Sequence, residues 1–290
     1  MMSLRLILVS IIWGVNFAFV KFALSDFLPL SFTVVRFSLG ALFLMGVMLV
    51  TREPFGIARK DRAPLIRLGL IGITLYNIFF MEGLKYTTAS HSALLISLSP
   101  LFAALIQAAS GKERITGAVG MGLLLSSIGV FLIIRSHANG LDFSSGGLFG
   151  DVLTLCASVF WALYTLKAKP LLEAYSPVKV TAYTMATGSL LLLPVGMYEL
   201  IHQTWSTISA PTWAALGFAA FISGGLAFSL WYQGVKRIGV TRTIVYHYLV
   251  PFVAVVFAAI FLDEHISSVQ VLGGLSILTG VSLVQRSRTV

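Results

Sequence analysis

The sequence predicts an all-α polytopic membrane protein with ten transmembrane helices, arranged as two inverted five-helix repeats. Three observations lead to this fold class. Of the 290 residues, 57% are apolar and only 11% are charged, with a mean hydropathy of +0.92, which is too apolar for the exterior of a soluble domain. The apolar residues fall into ten runs, and marked residues recur between the two halves at nearly constant separations.

The ten apolar runs each have the length that a membrane-spanning helix needs, because about 20 residues cross a hydrocarbon core of about 30 Å. Helices are expected because lipid cannot satisfy free backbone amides, and the runs lack the alternation of barrel strands. The links are short, so the chain has no room for a soluble domain. The predicted spans cover residues 4–24, 30–50, 64–81, 88–109, 116–134, 149–168, 178–199, 211–233, 240–262 and 268–285.

An internal repeat relates the first five spans to the last five. Residues early in the first half recur 148 positions later, namely Trp13, Lys21 and Pro29 at Trp161, Lys169 and Pro177. Later residues recur at a separation of 151, namely Gly83, Lys85, Pro100, Glu113, Gly122 and Gly129 at Gly234, Lys236, Pro251, Glu264, Gly273 and Gly280. We therefore predict two repeats, over residues 1–140 and 146–290.

The distribution of basic residues predicts the orientation. If the N-terminus is cytoplasmic, 16 of the 20 Lys and Arg residues lie on the cytoplasmic side, and the exceptions are Lys21, Arg36, Lys85 and Arg135. The positive-inside rule then predicts that both termini are cytoplasmic. Because five is odd, the second repeat enters from the opposite side. The net charge of +9 is spread over separate loops, so nucleic acid is not an expected partner.

Several short motifs resemble those of the EamA family within the drug/metabolite transporter superfamily. They are the run Trp13–Asn16 followed by Lys21, the run Glu82–Tyr86 leading to Pro100, and the run Gln233–Lys236 leading to Pro251. The resemblance covers the whole chain. It implies a central cavity lined mainly by spans 1, 3, 4, 6, 8 and 9. It also implies outward transport of small metabolites across the bacterial inner membrane, as in members similar to exporters of amino acids, aromatic ones included.

Polar and aromatic side chains at membrane depth are the candidate substrate-binding residues, because such groups are costly there unless they face protein or water. Trp13 and Asn16 share one helix face, as do Trp161 and Tyr164 in the equivalent span. For Asn16 the alternative is an interhelical hydrogen bond, and for Trp161 it is an interface anchor. The full predicted set is Trp13, Asn16, Tyr76, Asn77, Trp161, Tyr164, Tyr246, His247 and Tyr248.

Two prolines and four charged residues lead to further hypotheses. Pro100 and Pro251 occupy matching positions and predict kinks that act either as a hinge or gate or as static bends. Arg36 lies within the second span, and we expect it to pair with Glu82; the alternatives are that it extends its charge toward the membrane surface or that it contacts a substrate carboxylate. Glu113 and Glu264 match between repeats, which favours a repeated capping or gating role.

The acidic residues all fall in loops or near span ends, unlike the buried first-span carboxylate of the related small multidrug carriers. This pattern favours a neutral or zwitterionic substrate. No enzyme motif, cofactor motif or metal-ligand spacing is found. We therefore expect a carrier of amino acids that works by alternating access in the lipid bilayer, in which one chain can act as a monomer. The alternatives are a channel-like facilitator, a carrier of other neutral metabolites or drugs, or a receptor that binds without transport.

Overall fold

A computed structural model describes residues 2–110, 117–135, 146–239, 243 and 245–286. These residues form helices and connecting turns, with no β-strand among them. The main helices are α1 Met2–Ala23, α2 Pro29–Val50, α3 Arg59–Tyr86, α4 Ala89–Ala109, α5 Gly117–Arg135, α6 Gly146–Ala174, α7 Pro177–His202, α8 Ala210–Ile238, α9 Leu249–Phe261 and α10 Ser268–Arg286. Two short 3₁₀ helices cover Trp205–Thr207 and Val245–Tyr248.

Seven of the helices, α1–α4 and α6–α8, are long and apolar enough to cross a membrane. The described parts of α5, α9 and α10 are shorter apolar helices. The prediction of an all-helical polytopic membrane protein is therefore confirmed. The count of ten spans in two inverted repeats stays a prediction.

Helices α3 and α8 each contain a π-helical segment, Leu70–Leu75 in α3 and Phe218–Ala227 in α8. A π-helical turn is wider than an α-helical one, and such turns occur frequently at functional sites. In α3 the widened turn includes Gly72, where an added Cβ atom would overlap the ring of Tyr164. Glycine therefore lets an aromatic side chain of α6 lie directly against the backbone of α3.

The backbone changes just before each of the two matched prolines. Helix α4 is interrupted at Ser97 and Leu98. Its second part begins at Ser99, the residue directly before Pro100. In the second half of the chain, the 3₁₀ helix Val245–Tyr248 is followed directly by α9, which begins two residues before Pro251. The predicted break in helix geometry is present at both prolines, because proline has no amide hydrogen to donate within a helix.

The helix pairs with the most extensive contacts are α5 with α10, α3 with α6, and α2 with α7. Helices α5 and α10 approach through glycines: a Cβ atom added at Gly129 would lie 2.6 Å from the carbonyl oxygen of Gly273. Such small residues allow helix backbones to approach closely in a membrane. The largest hydrophobic core lies where α1, α2, α3, α6 and α8 meet.

Polar contacts tie the helices together at both ends of the bundle. At the end that carries Lys21, its ammonium group donates to the carbonyl oxygens of Leu84 at 2.6 Å and Thr87 at 2.7 Å. The opposite end carries Arg5, whose Nη1 donates to Gln233 Oε1 at 2.7 Å. We call these the Lys21 end and the Arg5 end.

Glu264 caps a helix, as one of the two hypotheses for the matched glutamates predicts. Its carboxylate accepts hydrogen bonds from the amides of Ala89 at 2.8 Å and Ser90 at 3.2 Å, at the start of α4. A carboxylate suits this position because the first amides of a helix have no partners within it. The matching Glu113 lies outside the described residues.

Candidate functional site

A small cavity of about 50 Å³ lies at the centre of the bundle. Its lining comes from α1, α2, α3, α4, α6, α8 and α9 and from the 3₁₀ helix before α9. These include all six spans that the family resemblance implied, and α2 is an addition. The lining residues are Trp13, Asn16, Phe17, Arg36, Phe37, Tyr76, Asn77, Phe80, Ile96, Trp161, Ser223, Phe228, His247 and Val250.

The two matched tryptophans meet at this cavity. The ring centroids of Trp13 and Trp161 are 5.6 Å apart with an interplanar angle of 87°, an edge-to-face contact. Trp13 also donates its indole N–H to the carbonyl oxygen of Ser223 at 3.2 Å. Both tryptophans are buried, so they build the cavity wall, and the alternative of an interface anchor for Trp161 does not describe its surroundings.

Two asparagines place amide groups in the cavity. Asn77 donates its side-chain N–H to the carbonyl oxygen of Ile73 at 2.8 Å, while its Oδ1 atom has no hydrogen-bond partner. Asn16 is also buried, and its Oδ1 atom likewise has no partner. Buried acceptors without partners are rare in folded proteins. The cavity therefore offers two acceptors that a ligand or a water molecule can satisfy.

Tyr76 and His247 add two further rings to the aromatic wall. The ring of Tyr76 is stacked on Phe80, with centroids 5.5 Å apart, and lies 5.2 Å from Trp161. The imidazole of His247 lies 5.8 Å from Trp13 and 6.1 Å from Trp161, and its Nδ1 atom has no partner. Of the predicted set, Trp13, Asn16, Tyr76, Asn77, Trp161 and His247 come together at one cavity.

Three other predicted residues are not placed at the cavity by the described structure. Tyr164 lies behind Trp161, with ring centroids 5.7 Å apart, and its hydroxyl is 3.4 Å from that of Thr184. Tyr246 does not line the cavity; its carbonyl oxygen accepts a hydrogen bond from Ser10 at 2.6 Å. The side chain of Tyr248 lies outside the described residues. Residues that follow one another in a helix point in different directions, so Tyr246 and His247 cannot both face the cavity.

The expected ion pair between Arg36 and Glu82 is not formed. Arg36 instead donates from Nε to the carbonyl oxygen of Ala219 at 3.1 Å and from Nη2 to the hydroxyl of Ser223 at 3.4 Å. Both acceptors belong to the π-helical segment of α8. The guanidinium carbon also lies 4.9 Å from the ring centroid of Phe37. Helix α2 therefore brings its one intramembrane cation to the cavity.

Pro100 and Pro251 do not line the cavity. They lie close to lining residues, since Ile96 precedes the interruption of α4 and Val250 directly precedes Pro251. A change in helix direction at either proline would therefore move a cavity wall. Their role as a hinge or gate stays a prediction.

Phe228 and Trp231 belong to this aromatic cluster but were not among the predicted residues. Phe228 lines the cavity, and the ring centroid of Trp231 lies 5.1 Å from that of Trp13. Both follow residues of α3 by 151 positions, since Phe228 matches Asn77 and Trp231 matches Phe80. Applying the repeat spacing to Asn77 would have identified Phe228.

A second polar cluster lies at the Lys21 end, away from the cavity. His91 Nδ1 and Asp151 Oδ2 are 3.4 Å apart, and both side chains are buried. The hydroxyl of Thr87 donates to Asp151 Oδ1 at 2.6 Å. Asp151 lies near the start of α6, as predicted for the acidic residues, but its complete burial was not expected. These contacts join α4 and α6 next to the α3–α4 turn.

The described residues contain no group of three or more His, Cys, Asp or Glu side chains that could hold a metal ion. The cavity is lined by an arginine, amides, an imidazole and aromatic rings, among other side chains. Such groups bind an organic molecule by hydrogen bonds, charge and stacking.

Comparison with protein families gives two matches to one model, the EamA-like transporter family, over residues 1–135 and 148–286. Among individual relatives, the chain is 30% identical to the uncharacterised transporter YyaM of Bacillus subtilis, over 94% of this chain and 89% of that protein. It is 28% identical to a probable terminal-alkyne amino-acid exporter of Streptantibioticus cattleyicolor, over 97% and 92% of the two chains.

A third relative is a probable amino-acid metabolite efflux pump of Escherichia coli, at 25% identity over 95% of this chain and 91% of that one. A solved structure described as "Crystal structure of protein" matches with a TM-score of 0.66 at 20% identity, covering 96% of this chain and 94% of that chain. That likeness concerns the fold alone.

The family model covers nearly the whole chain, and the three relatives described above are named as a transporter, an exporter and an efflux pump. The protein is a multi-pass membrane transporter, not an enzyme, and it belongs to the EamA-like transporter family.

Proposed function

We propose that the protein exports amino acids, aromatic ones included, by alternating access through the central cavity. The observation that carries this proposal is the cavity itself, where aromatic rings surround a buried arginine and two amide oxygens without partners. Aromatic walls favour planar or bulky side chains, and the polar atoms favour a ligand with charged or hydrogen-bonding groups. Two relatives named for amino-acid export support the same class.

The small volume of the cavity supports alternating access. Pockets that hold organic ligands usually have volumes of about 300–1,000 Å³, whereas this cavity has about 50 Å³. It has room for a few water molecules at most. An amino acid can enter only after the walls move apart, and polar ties at both the Lys21 end and the Arg5 end hold them together. A closed state of this kind lies between the two open states of a carrier.

We further propose ten spans in two inverted repeats, residues 1–140 and 146–290, in the bacterial inner membrane with both termini cytoplasmic. The two matches to the family model support two repeats. The packing does so too, because α2 pairs with its equivalent α7 and α5 pairs with its equivalent α10. The excess of basic residues on one side supports the orientation. One chain carries both repeats, so a monomer is sufficient for this mechanism.

Counterflow in proteoliposomes tests the function. Vesicles loaded with one unlabelled compound are placed in a dilute labelled compound, with a panel of amino acids, amines, sugars and nucleosides. A carrier of amino acids accumulates a labelled amino acid transiently in exchange for an unlabelled one. A facilitator without a carrier cycle shows no acceleration by the internal compound. Exchange confined to sugars or nucleosides would contradict the substrate assignment.

Cysteine labelling tests the orientation independently of transport. Cys156 is the only cysteine in the sequence, so its replacement by alanine allows single cysteines to be introduced close to each terminus. An impermeant maleimide should label both from the cytoplasmic side only. Labelling of the two termini from opposite sides would rule out an even number of spans.

A further inference from the structure

Arg36 is a buried cation that faces the cavity, and we propose that it binds the carboxylate group of the transported amino acid. This inference rests on the proposed function and assigns a specific role to one residue of its site. It predicts that transport requires a free carboxylate on the substrate. Amines and amides that share the same side chain should be rejected.

The surroundings of Arg36 leave its positive charge unbalanced. The residue is 5% exposed. Its hydrogen bonds go to the carbonyl oxygen of Ala219 and the hydroxyl of Ser223, and its guanidinium carbon lies 4.9 Å from the ring centroid of Phe37. These three groups are neutral. The hydrogen bonds leave from Nε and Nη2, and neither acceptor carries a negative charge. Charged side chains are almost never fully buried unless they are paired, because loss of hydration is costly.

Neither Glu199 nor Glu82 forms a salt bridge with Arg36. Glu199 of α7 accepts hydrogen bonds from the amides of Leu30 at 2.7 Å and Ser31 at 3.2 Å, at the start of α2. The one salt bridge between described residues joins His91 to Asp151. A counter-charge for Arg36 can therefore be supplied by an anionic group of a ligand. Arginine suits this task because its planar group can bind a carboxylate through two parallel hydrogen bonds.

The same cavity offers acceptors for a positively charged group. The Oδ1 atoms of Asn16 and Asn77 are both buried and without partners, and an ammonium group has three donors and no acceptor. One cation and two free acceptors in one cavity match a molecule that carries both a carboxylate and an ammonium group. The rings of Trp13 and Trp161 are then left to contact its side chain.

A purely structural role is the competing explanation for Arg36. Its hydrogen bonds to Ala219 and Ser223 join α2 to the π-helical segment of α8. In that case its replacement would weaken transport of all ligands alike, or would destabilise the fold. Selectivity between ligands with and without a carboxylate therefore separates the two explanations.

The first experiment uses the unaltered protein. Inhibition of phenylalanine counterflow is measured with unlabelled phenylalanine, phenylalaninamide and phenethylamine, which share one side chain and differ in the carboxylate. Loss of a charge-assisted contact corresponds to a decrease in affinity of about ten- to a hundredfold. Both compounds that lack the carboxylate should inhibit more weakly by about that factor. Equal inhibition by phenylalanine and phenylalaninamide would overturn the role of Arg36.

The second experiment compares variants. Arg36→Gln should lower the affinity for phenylalanine by about ten- to a hundredfold while leaving that for phenylalaninamide unchanged, so that discrimination disappears. Arg36→Lys keeps the charge and should retain part of the discrimination. Arg67→Gln is the matched control, since Arg67 is an exposed arginine of α3 and its loss should change nothing. A parallel loss for both ligands in Arg36→Gln would mean that the arginine is structural.

The outcomes also separate this inference from the proposed function. If no amino acid is exchanged by the unaltered protein, both fail. If phenylalanine and phenylalaninamide are exchanged equally well, transport stands and the assignment of Arg36 fails. If Arg36→Gln does not fold, as judged by size-exclusion elution and thermal unfolding, the comparison of ligands on the unaltered protein still decides the matter.

Discussion

Trp161 has more aromatic neighbours than most rings at the cavity. Its ring lies within 5.2–5.7 Å of those of Tyr76, Phe228, Trp13 and Tyr164. It is also the repeat equivalent of Trp13, so each half contributes one indole to the same wall. A side chain that stacks on a substrate must be rigid, and packing on several sides supplies that rigidity.

Replacing Trp161 by alanine should lower the affinity for an aromatic amino acid by about tenfold or more, because at least one ring contact with the ligand is lost. The measurement is the concentration dependence of counterflow. Phe252→Ala is the control, since Phe252 is exposed on α9 and its loss should not change the affinity. Unchanged kinetics in Trp161→Ala would contradict the assignment of the cavity as the binding site.

Asp26 predicts a pH dependence of stability at the Lys21 end. Hydrogen bonds from the hydroxyl of Thr212 and the amide of Ser209 lower the pKa of Asp26 from 3.8 to about 2. A carboxyl group with a lowered pKa stabilises the fold above its unfolded pKa, and this contribution is lost as the pH falls from about 4 to 2.

The thermal unfolding temperatures of the unaltered protein and of Asp26→Asn should therefore differ near pH 6 and converge as the pH approaches 2. The difference is small because the group is solvated. Asp263→Asn is the control, since Asp263 is exposed and has a positive φ of 51° that asparagine tolerates. A difference between the unaltered protein and Asp26→Asn that persists unchanged at pH 2 would contradict the prediction.

For individual residues, sequence analysis predicted six of the cavity residues as binding residues. It did not predict the partners of Arg36 or the burial of Asp151. Depth in the membrane and helical spacing could be read from the chain alone. The contacts of Arg36 with Ala219 and of His91 with Asp151 join residues far apart in sequence. They depend on how helices pack, which hydropathy does not determine.

At the scale of helices, the α5–α10 pair shows how glycine sets the distance between backbones. Added Cβ atoms at Gly129 and Gly280 would lie 2.6 Å from the carbonyl oxygen of Gly273 and 2.5 Å from that of Gly122. These four glycines are two matched pairs of the repeat. Sequence analysis identified the matched pairs, but it could not show that α5 and α10 face each other through them.

Gly129→Leu should therefore separate α5 from α10 and lower the thermal unfolding temperature by several degrees, because the helix backbones leave no room for a side chain. The control is Gly120→Leu in the same helix, where an added Cβ atom meets nothing within 4 Å. Differential scanning fluorimetry in detergent measures both variants. Equal unfolding temperatures for the two variants would contradict the packing of α5 on α10.

The ends of the predicted spans were less accurate than their centres. Helix α3 begins at Arg59 and α6 ends at Ala174, so both extend several residues beyond the apolar runs predicted at 64–81 and 149–168. Charged residues can continue a helix outside the hydrocarbon, where hydropathy no longer indicates it. The π-helical segments likewise had no signal in the sequence beyond their glycines.

At the scale of the whole molecule, hydrogen bonds at both ends of the bundle join α1 to other helices, and under the proposed alternating-access mechanism they would have to break when that end opens. Lys21 holds the end of α1 to the turn between α3 and α4, whereas Arg5 and Gln233 hold the start of α1 to the end of α8. Breaking the ties at one end removes stabilisation from the closed state at that end only. A shift between states needs only a few kcal/mol.

Lys21→Met should therefore favour opening at the Lys21 end. In a variant with Cys156→Ala and a cysteine in place of Ser223, an impermeant maleimide added from that side should react several-fold faster. Lys85→Met is the matched control, because Lys85 is exposed and close in sequence to the same turn. Equal labelling rates for Lys21→Met and Lys85→Met would show that the Lys21 contacts do not hold this end closed.

The π-helical segments also bear on the history of the chain. The segment of α3, moved by the repeat spacing of 151, falls inside the segment of α8. Well under 1% of residues in proteins adopt this conformation, so two independent origins at one register are improbable. A common origin of the two halves by duplication would account for this agreement in register.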